Sequence, residues 1–282
     1  MRSAPELTRI LFCRNCGFRF FDRGLSETEA SRYYDGYRSE TYFLERNSCE
    51  PFYTRRIHRQ LSSWLVSEQR RQALAIALSG SGAPEHFETV LDFGGSDGSL
   101  IEDIPSTKRV VFDLSGATIR NGIGRVSEQV MRSHRWNLVV CAQVLEHVSD
   151  PHGTMSTLAE LLAPNGWLYL EVPDEMWSNR TCAGNARHRW LGWLVKKRKL
   201  LMMADTISTA CRILLGFLPP FGFIPMREHL QYFTEPALVA IAQRSGLHVV
   251  HSGRNAVGQI YVTATNCLQP PSAAAPFPHA LT

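Results

Sequence analysis

The stretch Thr89–Ile104, TVLDFGGSDGSLIEDI, decides the reading of this chain. An apolar run ends in Asp92, glycines follow at once, and a helix-like pattern begins after Gly98. That is a buried strand, a tight turn and a helix start. Small residues at Gly94, Ser96 and Gly98 let backbone N–H groups approach a ligand that bulkier side chains would hold off. Dinucleotide-binding turns use G-x-G-x-x-G and aim a helix N-terminus at pyrophosphate. Here the spacing is G-x-S-x-G, with Asp92 just ahead of it and Asp97 inside the bend. Two carboxylates repel a diphosphate and attract an ammonium group. Asp113 ends the next apolar run, RVVFD, where a carboxylate can accept hydrogen bonds from both hydroxyls of a ribose.

Outward from this loop, strands and helices alternate. TVLDFGG is followed by a helix start, RVVFDLS by GATIRNG, and WNLVVCAQVLEH by HGTMSTLAELLAP, before GWLYLEVPD. Continuous apolar strands in such alternation predict a parallel sheet covered on both faces. TEPALVAIAQRSG reads as an amphipathic helix with Thr234 as N-cap and Gly246 as its stop. HVVHSGRN and QIYVTATN read as a final strand pair. Between Glu175 and Arg227 the alternation lapses, in an insert of roughly 50 residues placed where ligand-covering loops sit in open α/β sheets.

Upstream, SETE (Ser26–Glu29) has capping-box spacing. A helix is predicted from about Pro51 to Leu78, with Ile57, Leu61, Trp64 and Leu65 on one face and Arg55, Arg59, Arg70 and Arg71 mostly off it. SGSGAPEH (79–86) is a linker. The expected division is a partial zinc-ribbon-like segment (1–24), a helical cap and linker (25–86), a main domain (87–266) carrying the insert (175–227), and a disordered tail (267–282).

Composition narrows the function classes. A hydrophobic content of 44% and a charged content of 20% over 282 residues are those of an ordinary globular protein. A net charge of +4 gives no reason to expect nucleic acid. Seven irregularly spaced cysteines fit a reducing cytosol rather than a disulfide framework. Arg2, Glu6 and Arg9 interrupt any early apolar run, so no signal peptide is expected. The charge-free run Ile213–Met226 is shorter than the ~20 residues of a spanning helix and is broken by Pro219, Pro220 and Pro225. The expected location is cytoplasmic.

The segments VLDFGGSDG, VVFDLS, WNLVVCAQVLEHVSDP, LLAPNGWLYLEVPD and REHLQYFTEPALVAIAQRSGLHVV, in this order, resemble class I S-adenosylmethionine-dependent methyltransferases. The chain is similar to the subgroup with an LEH motif, which includes bacterial sugar and polysaccharide methyltransferases with an N-terminal CxxCG segment. The resemblance implies a Rossmann-like α/β sheet, mostly parallel with an antiparallel last strand, helices on both faces, and N-terminal and inserted cap segments. It implies S-adenosyl-L-methionine as cofactor, held by Asp92, Phe93, Gly94, Gly95, Ser96, Gly98, Asp113, Leu114 and Gln143. It also implies a small-molecule acceptor, a sugar or glycan-related hydroxyl, although no residue identifies sugar and oxygen, nitrogen and carbon acceptors stay open. Two positions and one interval depart from the pattern. Ser96 replaces the middle glycine, and Asn137 stands where aspartate is common. The short interval Ser115–Trp136 leaves only Ser127 or Glu128 to meet an adenine. Two other functions remain: a non-catalytic binding protein on a worn fold, and a nicotinamide oxidoreductase, which Asp92 and the glycine spacing disfavour.

Methyl transfer is an in-line displacement, and alignment alone can be worth effective molarities of about 10⁵–10⁸ M. A hydroxyl acceptor gains a further ~10²–10⁴-fold from a general base. His147 in LEHV and His229 in REHL are the candidates, each preceded by a glutamate, Glu146 and Glu228. Each has a structural alternative: His147 bonding a loop carbonyl, His229 seating the insert. The insert is basic at Arg187, Arg189 and Lys196–Lys199, with Trp190 and Trp193 alongside. Its predicted helix, Leu200–Leu218, has a narrow polar stripe of Asp205, Ser208, Thr209 and Arg212. It reads either as a lid or, through residues 187–218, as a peripheral contact with an anionic membrane. CRNCG offers Cys13 and Cys16 at zinc-knuckle spacing, but structural zinc takes four ligands and no second CxxC exists. In the similar subgroup a partner pair commonly lies upstream, and nothing in the spacing recommends Cys49. The ribbon reads as incomplete, and zinc is not expected.

Overall fold

The computed structural model describes residues 7–266 other than 35, 38, 51–52 and 180–184. The expected tail, 267–282, lies outside the described residues. Strands β1 (Ile10–Phe12) and β2 (Arg19–Phe21) form a hairpin around the CRNCG turn. Helix α1 (Glu27–Tyr34) opens on the capping box: Ser26 Oγ accepts the Glu29 N–H at 3.2 Å, and the Glu29 carboxylate accepts the Ser26 N–H at 3.0 Å. Helix α2 (Glu40–Cys49) is capped by Ser39. The single helix expected from about Pro51 to Leu78 is two helices, α3 (Arg55–Leu65) and α4 (Glu68–Gly80). Ser67 takes an extended N-cap conformation between them and breaks the run. Arg70, expected off the apolar face, is buried. It bonds Glu171 at 2.6 Å and lies over the Trp64 ring, so its charge is paired rather than solvated.

The central elements follow in order: β3 (Phe87–Phe93), β4 (Ser106–Phe112), β5 (Gly124–Arg125), α5 (Glu128–Ser133), β6 (Trp136–Ala142), α6 (Pro151–Glu160) and β7 (Leu162–Val172). In the insert, β8 (Ser178–Asn179), α7 (Asn185–Leu194), α8 (Arg198–Leu215) and β9 (Phe217–Leu218) come next. Then β10 (Gln231–Tyr232), α9 (Glu235–Arg244), β11 (His248–Arg254) and β12 (Ile260–Thr265) end the described chain. Seven strands make one sheet in the order β11-β12-β7-β6-β3-β4-β5. β5, β4, β3, β6 and β7 run parallel, and β12 pairs antiparallel to both β7 and β11. The expected mostly parallel sheet with an antiparallel last strand is what forms.

Alternate residues of each strand go to opposite faces. Leu74, Leu78, Leu100 and Ile101 pack on one face against Val90, Leu138 and Val140. Met131, Met155, Leu158 and Leu238 pack on the other against Leu91, Val139 and Leu168. The helix expected after the glycine loop shrinks to one 3₁₀ turn, Ser99–Ile101, because Pro105 just before β4 leaves no room for more. No helix forms in GATIRNG, where Gly116 and Gly122 take positive φ.

The insert closes on itself where β8 pairs with β9. β10 pairs with β2, so the REHLQYF segment carries the N-terminal hairpin. Phe21, Trp177, Leu218 and Tyr232 form a small core beneath them. Among the described residues no helix is long and apolar enough to cross a membrane.

Candidate active site

β3 and β6 are neighbours although β4 and β5 lie between them in sequence, and chain order reverses at this point of the sheet. In open α/β sheets the ligand crevice lies there, at the carboxyl ends of the strands. A cleft of about 1880 Å³ opens at this edge. Asp92, Phe93, Gly94, Gly95, Ser96, Asp113, Leu114, Gln143, His147 and His229 all line it; Gly98, Cys13 and Cys16 do not.

The loop admits only small residues. A Cβ on Gly95 would lie 2.1 Å from the Asp92 carboxylate, and one on Gly94 would lie 2.5 Å from Val144. Ser96 itself holds φ +53, a left-handed conformation that a glycine would take more readily. Its N–H donates to Asp113 Oδ2 at 2.8 Å, while Asp113 Oδ1 accepts from the Ser115 N–H and hydroxyl. Oδ2 keeps capacity for one more donor, while Oδ1 already accepts two. Asp92 is 1% exposed, and its Oδ2 has no hydrogen-bond partner. Burial pushes its pKa up to about 7, against the opposing charge of Arg70, and Asp113, Asp97 and Glu171 add to the rise. A buried carboxylate oxygen left open at a cleft wall suits an incoming cation. Gln143 closes β6 at φ +60 and donates to Glu171 and Gln259, both at 3.3 Å.

On the adenine side, Ser127 caps α5 by accepting the Val130 N–H and Glu128 pairs with Arg132; neither lines the cleft. Asn137 is spent inside the sheet, accepting the N–H and hydroxyl of Thr89.

LEHV and REHL meet in the wall of the same cleft. The His147 and His229 rings lie 4.8 Å apart at 74°. His147 Nδ1 donates to the Glu228 carbonyl at 2.8 Å, so a loop carbonyl does hold this ring, and Nε2 lies 3.6 Å from Glu146 Oε1. Glu146 sits beneath, fully buried, with neither carboxylate oxygen hydrogen-bonded. Burial pushes its pKa up to about 8, with His229 pulling the other way. His229 Nδ1 bonds Glu175 at 2.7 Å. Burial alone would lower the His229 pKa, but Glu175 outweighs it and holds the ring at about 9. One donor atom each from Glu146, His147 and His229 falls within 4.8 Å of the others, a set that could hold a divalent cation. The Glu228 carboxylate faces the other way and accepts from Tyr37 at 2.7 Å, Tyr42 and Arg46.

Sequence reasoning missed Glu175 as a site residue, treating it only as the edge of the insert. Its signal was its place just past the end of β7, at the ligand edge of the sheet. Tyr34 and Arg46, from α1 and α2, and Tyr37, from between them, also reach the cleft, and none belongs to a ligand motif. Cys13 and Cys16 sit in the hairpin turn, where backbone N–H groups of Cys16 and Asn15 lower the Cys13 pKa and burial raises that of Cys16. Among the described residues no third donor joins them, and the Cys49 side chain lies outside those residues.

The family described as a methyltransferase domain matches residues 57–252. The ubiquinone biosynthesis O-methyltransferase of Nitrosospira multiformis is 41% identical over 39 residues, a match spanning 14% of this chain and 16% of that protein. The N-methyltransferase NodS of Bradyrhizobium japonicum, solved with S-adenosyl-L-homocysteine, is 14% identical, with a TM-score of 0.42 over 71% of this chain and 86% of that one. A methyltransferase of Mesorhizobium loti is 15% identical, with a TM-score of 0.41 over 68% and 97%. The family match covers well over half of the residues and contains the whole glycine loop and LEHV. The chain belongs to the methyltransferase-domain family and is an S-adenosylmethionine-dependent methyltransferase.

Proposed function

We propose that the chain methylates a hydroxyl of a polyhydroxylated, sugar-like acceptor, with residues 87–266 as the catalytic domain and residues 25–86 and 175–227 as its caps. The observation that carries this reading is the pair His147 and His229, whose rings lie together in the wall of the cleft that the glycine loop also lines. A hydroxyl gains more from a general base than a neutral amine does, because its oxygen attacks well only as the proton leaves. Tyr34, Tyr37 and Trp64 line the same cleft as Arg46, Arg212 and Glu50, and flat rings beside charged hydrogen-bonding groups suit a sugar. LEHV and REHL add the likeness to bacterial sugar methyltransferases.

The loop fits the cofactor. The open Asp92 oxygen suits its ammonium group, Asp113 the ribose hydroxyls, and the small residues Gly94 and Gly95 the close approach of its chain. S-Adenosylmethionine supplies a sulfonium methyl group when bound. His147, with Nδ1–H fixed on the Glu228 carbonyl, presents Nε2 as the proton acceptor for the substrate hydroxyl. His229, held cationic by Glu175, stabilises the negative charge that develops on that oxygen. The test is turnover on free sugars and nucleotide-activated sugars, with the product read by mass spectrometry. His147→Ala should lower kcat by ~10²–10⁴-fold and leave S-adenosylhomocysteine affinity unchanged. Wild-type kcat in that variant, or methylation confined to amines, would remove the reading.

A further inference from the structure

Helix α8 is attached to the protein by its polar side. Asp205 pairs with Arg227, Arg212 lies 3.8 Å from Glu175, and Ser208 Oγ accepts the Phe223 N–H. The apolar side is left outside. Leu200, Met203, Ile207 and Leu214 recur at helical spacing and are 44%, 60%, 57% and 77% exposed. A monomer in water seldom shows a stripe of this kind. Beside its N-terminal end stand Trp193, half exposed, and the exposed Lys196, Lys197 and Lys199. Among the described residues none of these three lysines makes an ion pair. Charge complementarity decides what covers the stripe. A second copy would bring the same cations together, whereas an anionic bilayer offers phosphates to the lysines and hydrocarbon to the leucines. We infer that α8 lies in the surface of an anionic lipid bilayer.

The consequence for the substrate follows from the other side of the same helix. Met202, Thr206 and Thr209 line the active-site cleft, roughly 120° round the helix from the exposed stripe at about 100° per residue. At the last turn Ile213, Leu214 and Leu215 are exposed in succession, and Ile213 also lines the cleft. Apolar surface thus runs from the bilayer face to the cleft mouth. Resting on the hydroxyl-methylation reading, the acceptor is an amphiphile whose polyhydroxylated head enters the cleft while its hydrocarbon tail stays in the membrane.

The full chain is floated with vesicles of phosphatidylcholine alone and with phosphatidylglycerol added. It should bind only the anionic vesicles, and less at high salt. Met203→Asp combined with Ile207→Asp should abolish binding. Lys196→Gln, Lys197→Gln and Lys199→Gln together should weaken it by roughly 100-fold, at ~5-fold for each lysine lost. Both variants should keep wild-type affinity for S-adenosylhomocysteine in calorimetry, which shows that they fold. No binding of the wild type to anionic vesicles overturns the inference. So does a dimer in sedimentation velocity that Met203→Asp with Ile207→Asp takes apart. Equal kcat/KM for tailed and tail-free acceptors overturns the amphiphile assignment alone. Loss of the His147 requirement would sink the hydroxyl chemistry and leave vesicle binding untouched.

Discussion

Asp92 shows how far a single residue can be read. Its place at the end of an apolar run marks it as a strand terminus facing a ligand, because a charged residue seldom closes a buried strand without a task. What the sequence does not reveal is its proton affinity, which depends on burial and on three other carboxylates brought close by folding. With the folded pKa near 7 and the ordinary value 3.8, the empty protein binds more protons folded than unfolded across that window, so its stability falls as the pH rises from about 4 to 7. Asp92→Asn should flatten that part of the pH profile, measurable by urea unfolding. Cofactor affinity has the opposite sense. The carboxylate must be ionised to receive an ammonium group, so S-adenosylhomocysteine should bind more weakly below pH 7. Asp92→Asn should lose roughly 10–100-fold at pH 8, as expected for a bond to a charged group. Gly95→Ala is a separate steric check. Its Cβ would fall 2.1 Å from that same carboxylate, and calorimetry should show cofactor binding lost.

At the scale of elements, period and punctuation carried most of the architecture. β3, β6 and β7 are continuous apolar runs, and α9 has its Thr234 cap bonded to the Ala237 N–H and its Gly246 stop at φ +80. The failures are also physical. The run from 51 to 78 kept its helical period through Ser67, and only the competing N-cap geometry of that serine divides it. Arg70 looked solvated because its partner, Glu171, is 101 residues away, and local pattern cannot see a pair closed by topology. That pair ties α4 to β7 with both side chains buried. Arg70→Ala should therefore destabilise the protein by about 3–5 kcal/mol in urea unfolding, by stranding the Glu171 charge.

For the whole molecule, the caps were visible as segments and invisible as surfaces. Nothing in YYDGY or ETYFLER announces that Tyr37, Tyr42 and Arg46 converge on Glu228 from the far side of the cleft. The apolar side of α8 was legible as an amphipathic pattern, but which side faces the protein was not, since only the positions of Arg227 and Glu175 decide it. Glu228→Gln should loosen the N-terminal cap, raising KM for the acceptor several-fold while cofactor affinity holds, as steady-state kinetics and calorimetry would show.

Glu228 has two hands. Its carbonyl fixes the tautomer of His147, and its carboxylate grips the helices that roof the cleft. The hold on the cap and the orientation of the imidazole thus share one residue, and a change of side chain at 228 separates them, since the backbone carbonyl keeps the second.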